Sequence, residues 1–349
     1  MSVPGRTYIG NPYWKYFCEA FDAIGVDVVP VRSADTMLLR FDVLHMHFPD
    51  HKVAEHPLPK ALVLAASFLA FLGLVRLFGK KIVWTVHDVT PFKTRHRWLL
   101  MPYLAWVRRL TSGYVFMNRS SREQFFKAYP DQAAKPSCLV GHGVFPTTRV
   151  SPERRQILRQ EMHKGEAFII GYLGDLKPYK NVDALRHLPK TDGRGRPVVL
   201  VVAGRADPLM DADALEASLD AAGRERMHRI DHRLDDAEME ELIGTVDAVF
   251  LPYLIGSNSG FSILVLSAGG RLLTSDLPMF TDLEEQFGAP WVYSSALDAL
   301  SLTQAVDRVS THDVTPEEEG RRDAALAALS FEACGRETLE FYRSLGAPG

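Results

Sequence analysis

Two doubly wound α/β domains, each built on a parallel sheet, are the fold class this 349-residue sequence predicts. Three observations carry the expectation. Short, continuously apolar runs alternate with helical patterns, which is how strands buried on both faces of a parallel sheet read. The alternation breaks once, at a polar and charged stretch, and then restarts. The length also suits two cores better than one.

In the first half the strand-like runs are "TYIG", "VDVVPV", "FDVLHMHF", "KIVWTVHD", "GYVFMN" and "SCLVGHG". Helical patterns at 12–24, 57–78, 96–111 and 120–128 separate most of them. The stretch 147–166, "TTRVSPERRQILRQEMHKGE", marks the boundary. Beyond it, "AFIIGYLG", "PVVLVVAG", "RMHRIDHR", "AVFLPY", "RLLTSD" and "PWVYSS" predict a second sheet. Domains are therefore expected at 1–150 and 165–328, facing each other across a cleft, with a helix in 329–349 returning to the first.

Composition narrows the function. Hydrophobic residues make up 46% and charged residues 24%, an ordinary globular balance without the signature of disorder. A net charge of −3 does not suggest a nucleic-acid partner. Cys18, Cys138 and Cys334 are odd in number and lack ligand spacing, which fits a reducing compartment rather than disulfides or structural zinc. The opening "MSVPGRTYIG" has no apolar signal core, so a cytoplasmic location is expected.

The apolar run "ALVLAASFLAFLGLV", residues 61–75, stops at Arg76, short of the roughly 20 residues of a spanning helix. A buried helix is its first reading. A helix at the membrane surface is the next. Supporting it, Lys80, Lys81, Lys93, Arg95, Arg97, Arg108 and Arg109 interleave with Trp98, Tyr103 and Trp106, a mixture suited to anionic headgroups.

In open α/β sheets, ligands bind beyond the carboxyl ends of the strands. That rule selects Gly10–Asn11, His47–Asp50, His87–Asp88, His142–Gly143, Gly174–Lys180 and Ser257–Gly260. In "FLPYLIGSNSGFSILVLSAGG" a strand ends at Pro252, a loop of small residues follows, and an apolar helix without acids begins. Asn258, Ser259 and Gly260 let a ligand approach the helix N-terminus, whose N–H groups and dipole suit phosphate. An ordinary strand–helix connection would look the same. In "GYLGDLKPYKNVDAL" a strand ends at Gly174, and Lys177 and Lys180 could neutralise a diphosphate leaving group, although solvated loop lysines are common. His45 and His47 are read as facing opposite sides of their strand, with His47 alone reaching the cleft. "DADA" at 211–214 opens a helix pattern rather than ending a strand, so no metal is expected there. "GGR" at 269–271 is no dinucleotide fingerprint.

The order of these motifs resembles the nucleotide-sugar half of GT-B glycosyltransferases related to glycosyltransferase family 4. It covers the G-x-L-x-P-Y-K loop, "HRLDDAEMEEL", "VDAVFLPY" and the small-residue loop, over about 167–276. "FDVLHMHFPDHKVAEHP", "VHDVTP" and "GHG" are similar to the bacterial xanthan-type exopolysaccharide β-mannosyltransferases of family 94. The resemblance implies the GT-B fold, with an N-terminal acceptor domain and a C-terminal nucleotide-sugar domain. It also implies transfer of mannose from GDP-mannose to a polyprenyl-diphosphate-linked oligosaccharide at the inner membrane face, with no cofactor. Nucleotide contacts are then expected near Leu234 of "HRLDD".

Two departures bear on mechanism. Retaining family 4 enzymes carry an E-x₇-E pair where this chain has Ser257 and Val265, and an arginine where it has Asp175, with Lys177 as the substitute cation. The resemblance therefore implies an inverting reaction, which needs one base to take the acceptor proton. Asp50 is the first candidate, and His87 or Asp88 the second; His142 is a further cleft residue. The alternatives are a retaining enzyme with a degenerate pair, a non-catalytic nucleotide-sugar-binding protein, or an epimerase.

Overall fold

Strand formation follows the apolar runs closely. The structure, a computed structural model, describes residues 2–3, 13–31, 33–91, 95–161, 166–207 and 225–347. The expected strand "TYIG", with Gly10 and Asn11, lies outside the described residues, as do Lys93 and "DADA".

The first sheet holds β1 (Ser2–Val3), β2 (Val29–Pro30), β3 (Val43–Met46), β4 (Lys81–Val86), β5 (Gly113–Phe116) and β6 (Ser137–Leu139). Its order is β2-β1-β3-β4-β5-β6, all parallel. The second holds β7 (Phe168–Leu173), β8 (Val198–Ala203), β9 (Met227–Ile230), β10 (Ala248–Leu251), β11 (Leu272–Ser275) and β12 (Val292–Ser295). Its order is β12-β11-β10-β7-β8-β9, again parallel. Every residue of β7, β8, β10 and β11 is buried, which explains why these segments read as unbroken apolar runs rather than as alternation. Strand order reverses between β1 and β3 and between β7 and β10. Such switch points are where crevices open at the strands' carboxyl ends.

The chain divides into two compact units, Met1–Phe145 with Ala328–Gly349, and Pro146–Ala327. In unit 1 the C-terminal helix Phe331–Ser344 packs on the helix Tyr13–Ala23. Phe341, Tyr342 and Cys334 join Phe17, Phe21, Val43, Val83 and Val115 in one cluster. Phe341 fits because Gly113 presents no side chain: a Cβ there would lie 2.7 Å from its ring. In unit 2 the charged stretch folds as the helix Pro152–Glu161, whose Arg155 and Arg159 both pair with Asp247.

One expectation is corrected here. The apolar run 61–75 lies within a longer helix, Leu58–Leu77, and this helix is not buried. Only Ala61, Ala65, Leu72 and Val75 are buried, while Leu62, Val63, Leu74 and Leu77 are exposed. A helix apolar all round can cover one stripe against its own unit and no more. With 20 residues it is long and apolar enough to cross a membrane, by length and composition.

Candidate active site

In unit 2 the β7–β10 switch point gathers the loop lysines and the small-residue loop. Gly174, with φ +92°, follows β7, and Gly204, with φ +144°, follows β8. A Cβ on Gly204 would overlap the Gly174 carbonyl, so this close approach needs glycine. Lys177 precedes the short turn Pro178–Lys180, which Asn181 closes in the left-handed conformation. Lys180 runs back along the sheet end, its Nζ 3.3 Å from where a Gly174 Cβ would sit and 5.9 Å from the Tyr253 ring centroid. Burial first, and then Lys177, push its ammonium down to about 8. The Leu254 N–H donates to the Tyr179 carbonyl at 2.8 Å, tying the lysine loop to the segment after β10.

The helix Gly260–Ser267 begins at Ser259, whose Oγ accepts from the Ser262 N–H at 3.2 Å. That cap serves one N–H of the first turn. The helical repeat gives Gly260 and Phe261 no intrahelical acceptor, so their N–H groups form the anion-directed end. Val265 is fully buried and Ser257 is half-buried. Leu234 lies apart from this group. It follows β9, the edge strand, in a loop ended by the Asp235 capping box of the helix Asp236–Thr245.

In unit 1 the strand-end residues form an imidazole and aromatic cluster. Residues two apart on a strand point the same way, so His45 and His47 share a face rather than oppose, their rings 4.6 Å apart. His45 is held by Thr85 Oγ1 at 2.7 Å and by the Tyr342 hydroxyl at 2.5 Å. His47 Nδ1 is 2.8 Å from His87 Nε2, while its own Nε2 is buried without a hydrogen-bond partner. Trp14 stands edge-on to His47 at 4.4 Å, and Tyr13 lies 5.2 Å from His142. Burial lowers His45 and His87 to about 3 and His142 to about 4, and pushes His47 well down. These rings are neutral at physiological pH. His87, a candidate base, is correspondingly a weak one.

Asp50 and Asp88 line one small cavity, about 20 Å³, with His47, His87, Trp84 and Arg108. That volume admits about one water. Burial raises Asp50, and His51 partly offsets it. Burial and then the Asp50 charge raise Asp88 to about 7. Burial and the Asp50 charge thus leave Asp88 protonated part of the time near neutrality.

Arg108 was not marked in the sequence for this place. Instead of reaching toward headgroups it is buried, stacked over the Tyr129 ring at 3.9 Å, and lines the same cavity. Tyr103 is also buried, and its hydroxyl donates to the Pro49 carbonyl at 2.9 Å, fixing the turn before Asp50. Both sit on the inner face of the helix Arg97–Leu110, with Leu100, Leu104 and Val107. Their helical spacing was the available signal. Among the described residues, no group of His, Cys, Asp and Glu could hold a metal.

No family model matches the chain. A GDP-mannose:glycolipid 4-beta-D-mannosyltransferase of Xanthomonas campestris pv. campestris is 25% identical over 304 residues, 86% of this chain and 80% of that protein. Anabaena Alr3699/HepE, solved with UDP and glucose, superposes with a TM-score of 0.64 at 16% identity, over 95% of this chain and 89% of the other. Sucrose-phosphate synthase from Thermosynechococcus elongatus superposes at 0.61 and 14% identity, over 95% and 77%. The chain has the GT-B fold, it resembles this mannosyltransferase, and glycosyl transfer is the class of activity that its relatives support.

Proposed function

We propose that the protein is an inverting glycosyltransferase that moves mannose from GDP-mannose to a lipid-linked oligosaccharide at the cytoplasmic face of the inner membrane, in exopolysaccharide synthesis. The mannosyltransferase relative, whose name gives GDP-mannose as its donor, supports the substrate side. The observation that carries the mechanism is the distribution of carboxylates. The donor loop has Ser257 and a buried Val265 where a retaining pair would stand, whereas Asp50 and Asp88 share a cavity at the strand ends of unit 1.

In the proposed reaction an acceptor hydroxyl oxygen bonds to the anomeric carbon as the bond from that carbon to the diphosphate oxygen breaks. The hydroxyl proton passes to ionised Asp50, while Asp88, held near neutrality, keeps its own proton part of the time. The electron pair of the broken bond leaves on the diphosphate. Lys177, Lys180 and the Ser259–Gly260 helix end stabilise the charge that develops there.

The test has two parts. Proton NMR of the product should show a β-linkage from the α-linked donor; an α-linkage refutes inversion. Asp50→Asn should lower transfer by about 10²–10⁴-fold, the usual contribution of a general base, with donor affinity near normal. If Asp88→Asn abolishes transfer while Asp50→Asn costs less than about tenfold, the base is Asp88 instead.

A further inference from the structure

The amino-terminal end of the second sheet, opposite the lysine loop, carries a crevice of about 380 Å³. Its walls include the residues that immediately precede three strands, Asp247, Arg271 and Trp291. The volume falls in the range of about 300–1,000 Å³ typical of small-molecule sites.

Charge in this crevice is unbalanced. Arg155 and Arg159 share the carboxylate of Asp247, at 2.7 and 3.0 Å. Arg149 and Arg322 share that of Asp323, at 2.5 and 3.0 Å. Arg271 donates only to backbone carbonyls, those of Asp247, Val309 and His312, at 2.9–3.2 Å. The other acids on the wall are Asp313, which Arg194 holds at 2.6 Å, and Glu319. Four lining guanidinium groups, Arg149, Arg155, Arg271 and Arg322, therefore meet Asp247, Glu319 and the neighbouring Asp323, with Arg159 also on Asp247, an excess of positive charge in a partly desolvated place.

Arg322 is the pivotal group. It is 2% exposed and stacks on Trp291 at 4.0 Å. Its Nε donates to Asp323 at 3.0 Å, yet its Nη2 is buried without a hydrogen bond, the Asp323 oxygen lying within ion-pair distance but off the bonding direction. Gly269, with φ +83°, keeps the adjoining wall bare, 3.8 Å from Arg322 Nη1 at its Cβ position. Arg322 thus lines the crevice with one donor left unused, beside a glycine wall and further arginines, and planar guanidinium forks are suited to oxyanions.

We propose that this crevice is a second anion site, which takes a small phosphate-bearing molecule and is distinct from the candidate diphosphate loop at the other end of the sheet. The helix Gly260–Ser267 separates the two: its N-terminus belongs to the loop, and Ala268–Gly270 beyond its C-terminus line the crevice.

Inorganic pyrophosphate is the probe, titrated calorimetrically into the full chain. Lys180→Ala removes the loop's buried cation and weakens its hold on pyrophosphate, so the effect of a crevice substitution in this background reports on the crevice. Adding Arg149→Gln, a change at a half-exposed position that spares the fold, should weaken that remaining binding about tenfold, the loss of one charged contact. Arg322→Gln should weaken it at least as much, with circular dichroism checking that the chain stays folded. Absence of pyrophosphate binding to the Lys180→Ala chain, or binding that Arg149→Gln leaves unchanged, overturns the proposal.

Discussion

Lys180 illustrates how one residue links burial to binding. Its ammonium is held down to about 8 by burial, so the folded state resists charging it. A depressed folded value means a stability contribution present above the unfolded value and lost as pH falls through about 8. A bound diphosphate reverses the balance by pairing the charge. Nucleoside-diphosphate binding at about pH 9 should therefore take up close to one proton, and far less at about pH 7. Calorimetry in buffers of differing ionisation enthalpy measures this directly. Lys180→Ala should remove the uptake and weaken binding by more than about tenfold, as expected for a lost charged contact of about 1.5–3 kcal/mol. Equal uptake in the variant would show that the proton goes elsewhere. At this scale the sequence was informative about strand-end residues, because chain order alone places Asp50, Asp88, Lys177 and Lys180 after apolar strands. It was not informative about partners. Nothing in the spacing brings Tyr342 to His45, because that contact is created by a helix almost 300 residues away.

Elements were legible where one period dominates. The runs of β7, β8, β10 and β11 match the strands observed, because burial on both faces leaves no polar position to confuse the pattern. Leu58–Leu77 was misread for the same reason: uniform apolarity marks a helix but does not say what covers it. Its exposed Leu77, at 78%, and Phe78, at 64%, lie beside Lys80 and Lys81. The helix packs on Arg97–Leu110, which exposes Trp98 and Trp106. Apolar surface edged by cations and indoles suits a bilayer interface. We expect the chain to cosediment with vesicles, more with anionic lipid and less at high salt, and the double variant Leu77→Ser, Trp106→Ser to bind more weakly. Sedimentation indifferent to lipid charge, salt and both substitutions would remove the membrane from the proposal.

At the scale of the whole molecule, the chain crosses between its units twice, near Phe145 and near Ala328. Unit 1 is thus completed only by residues that follow the whole of unit 2 in the chain. The Phe331–Ser344 helix supplies Phe341 and Tyr342 to the cluster against β3, β4 and β5, and Tyr342 gives His45 a second buried hydroxyl partner beside Thr85. Losing a buried aromatic typically costs about 3–5 kcal/mol, and leaving a buried polar atom unsatisfied about 1–3 kcal/mol. Against a domain stability of about 5–15 kcal/mol, removing the helix should bring unit 1 close to unfolding. No part of that cluster comes from unit 2, whose own cluster of strand and helix side chains lies within 146–327. A chain ending at Ala328 should therefore lose hydrogen-exchange protection in β3 to β6 while keeping it in β7, β8, β10 and β11. Tyr342→Phe, which keeps the ring and removes the hydroxyl, should show a milder loss confined to unit 1. If the truncated chain protects β3 to β6 as well as the intact one, the C-terminal helix is an accessory to unit 1 and not part of its core.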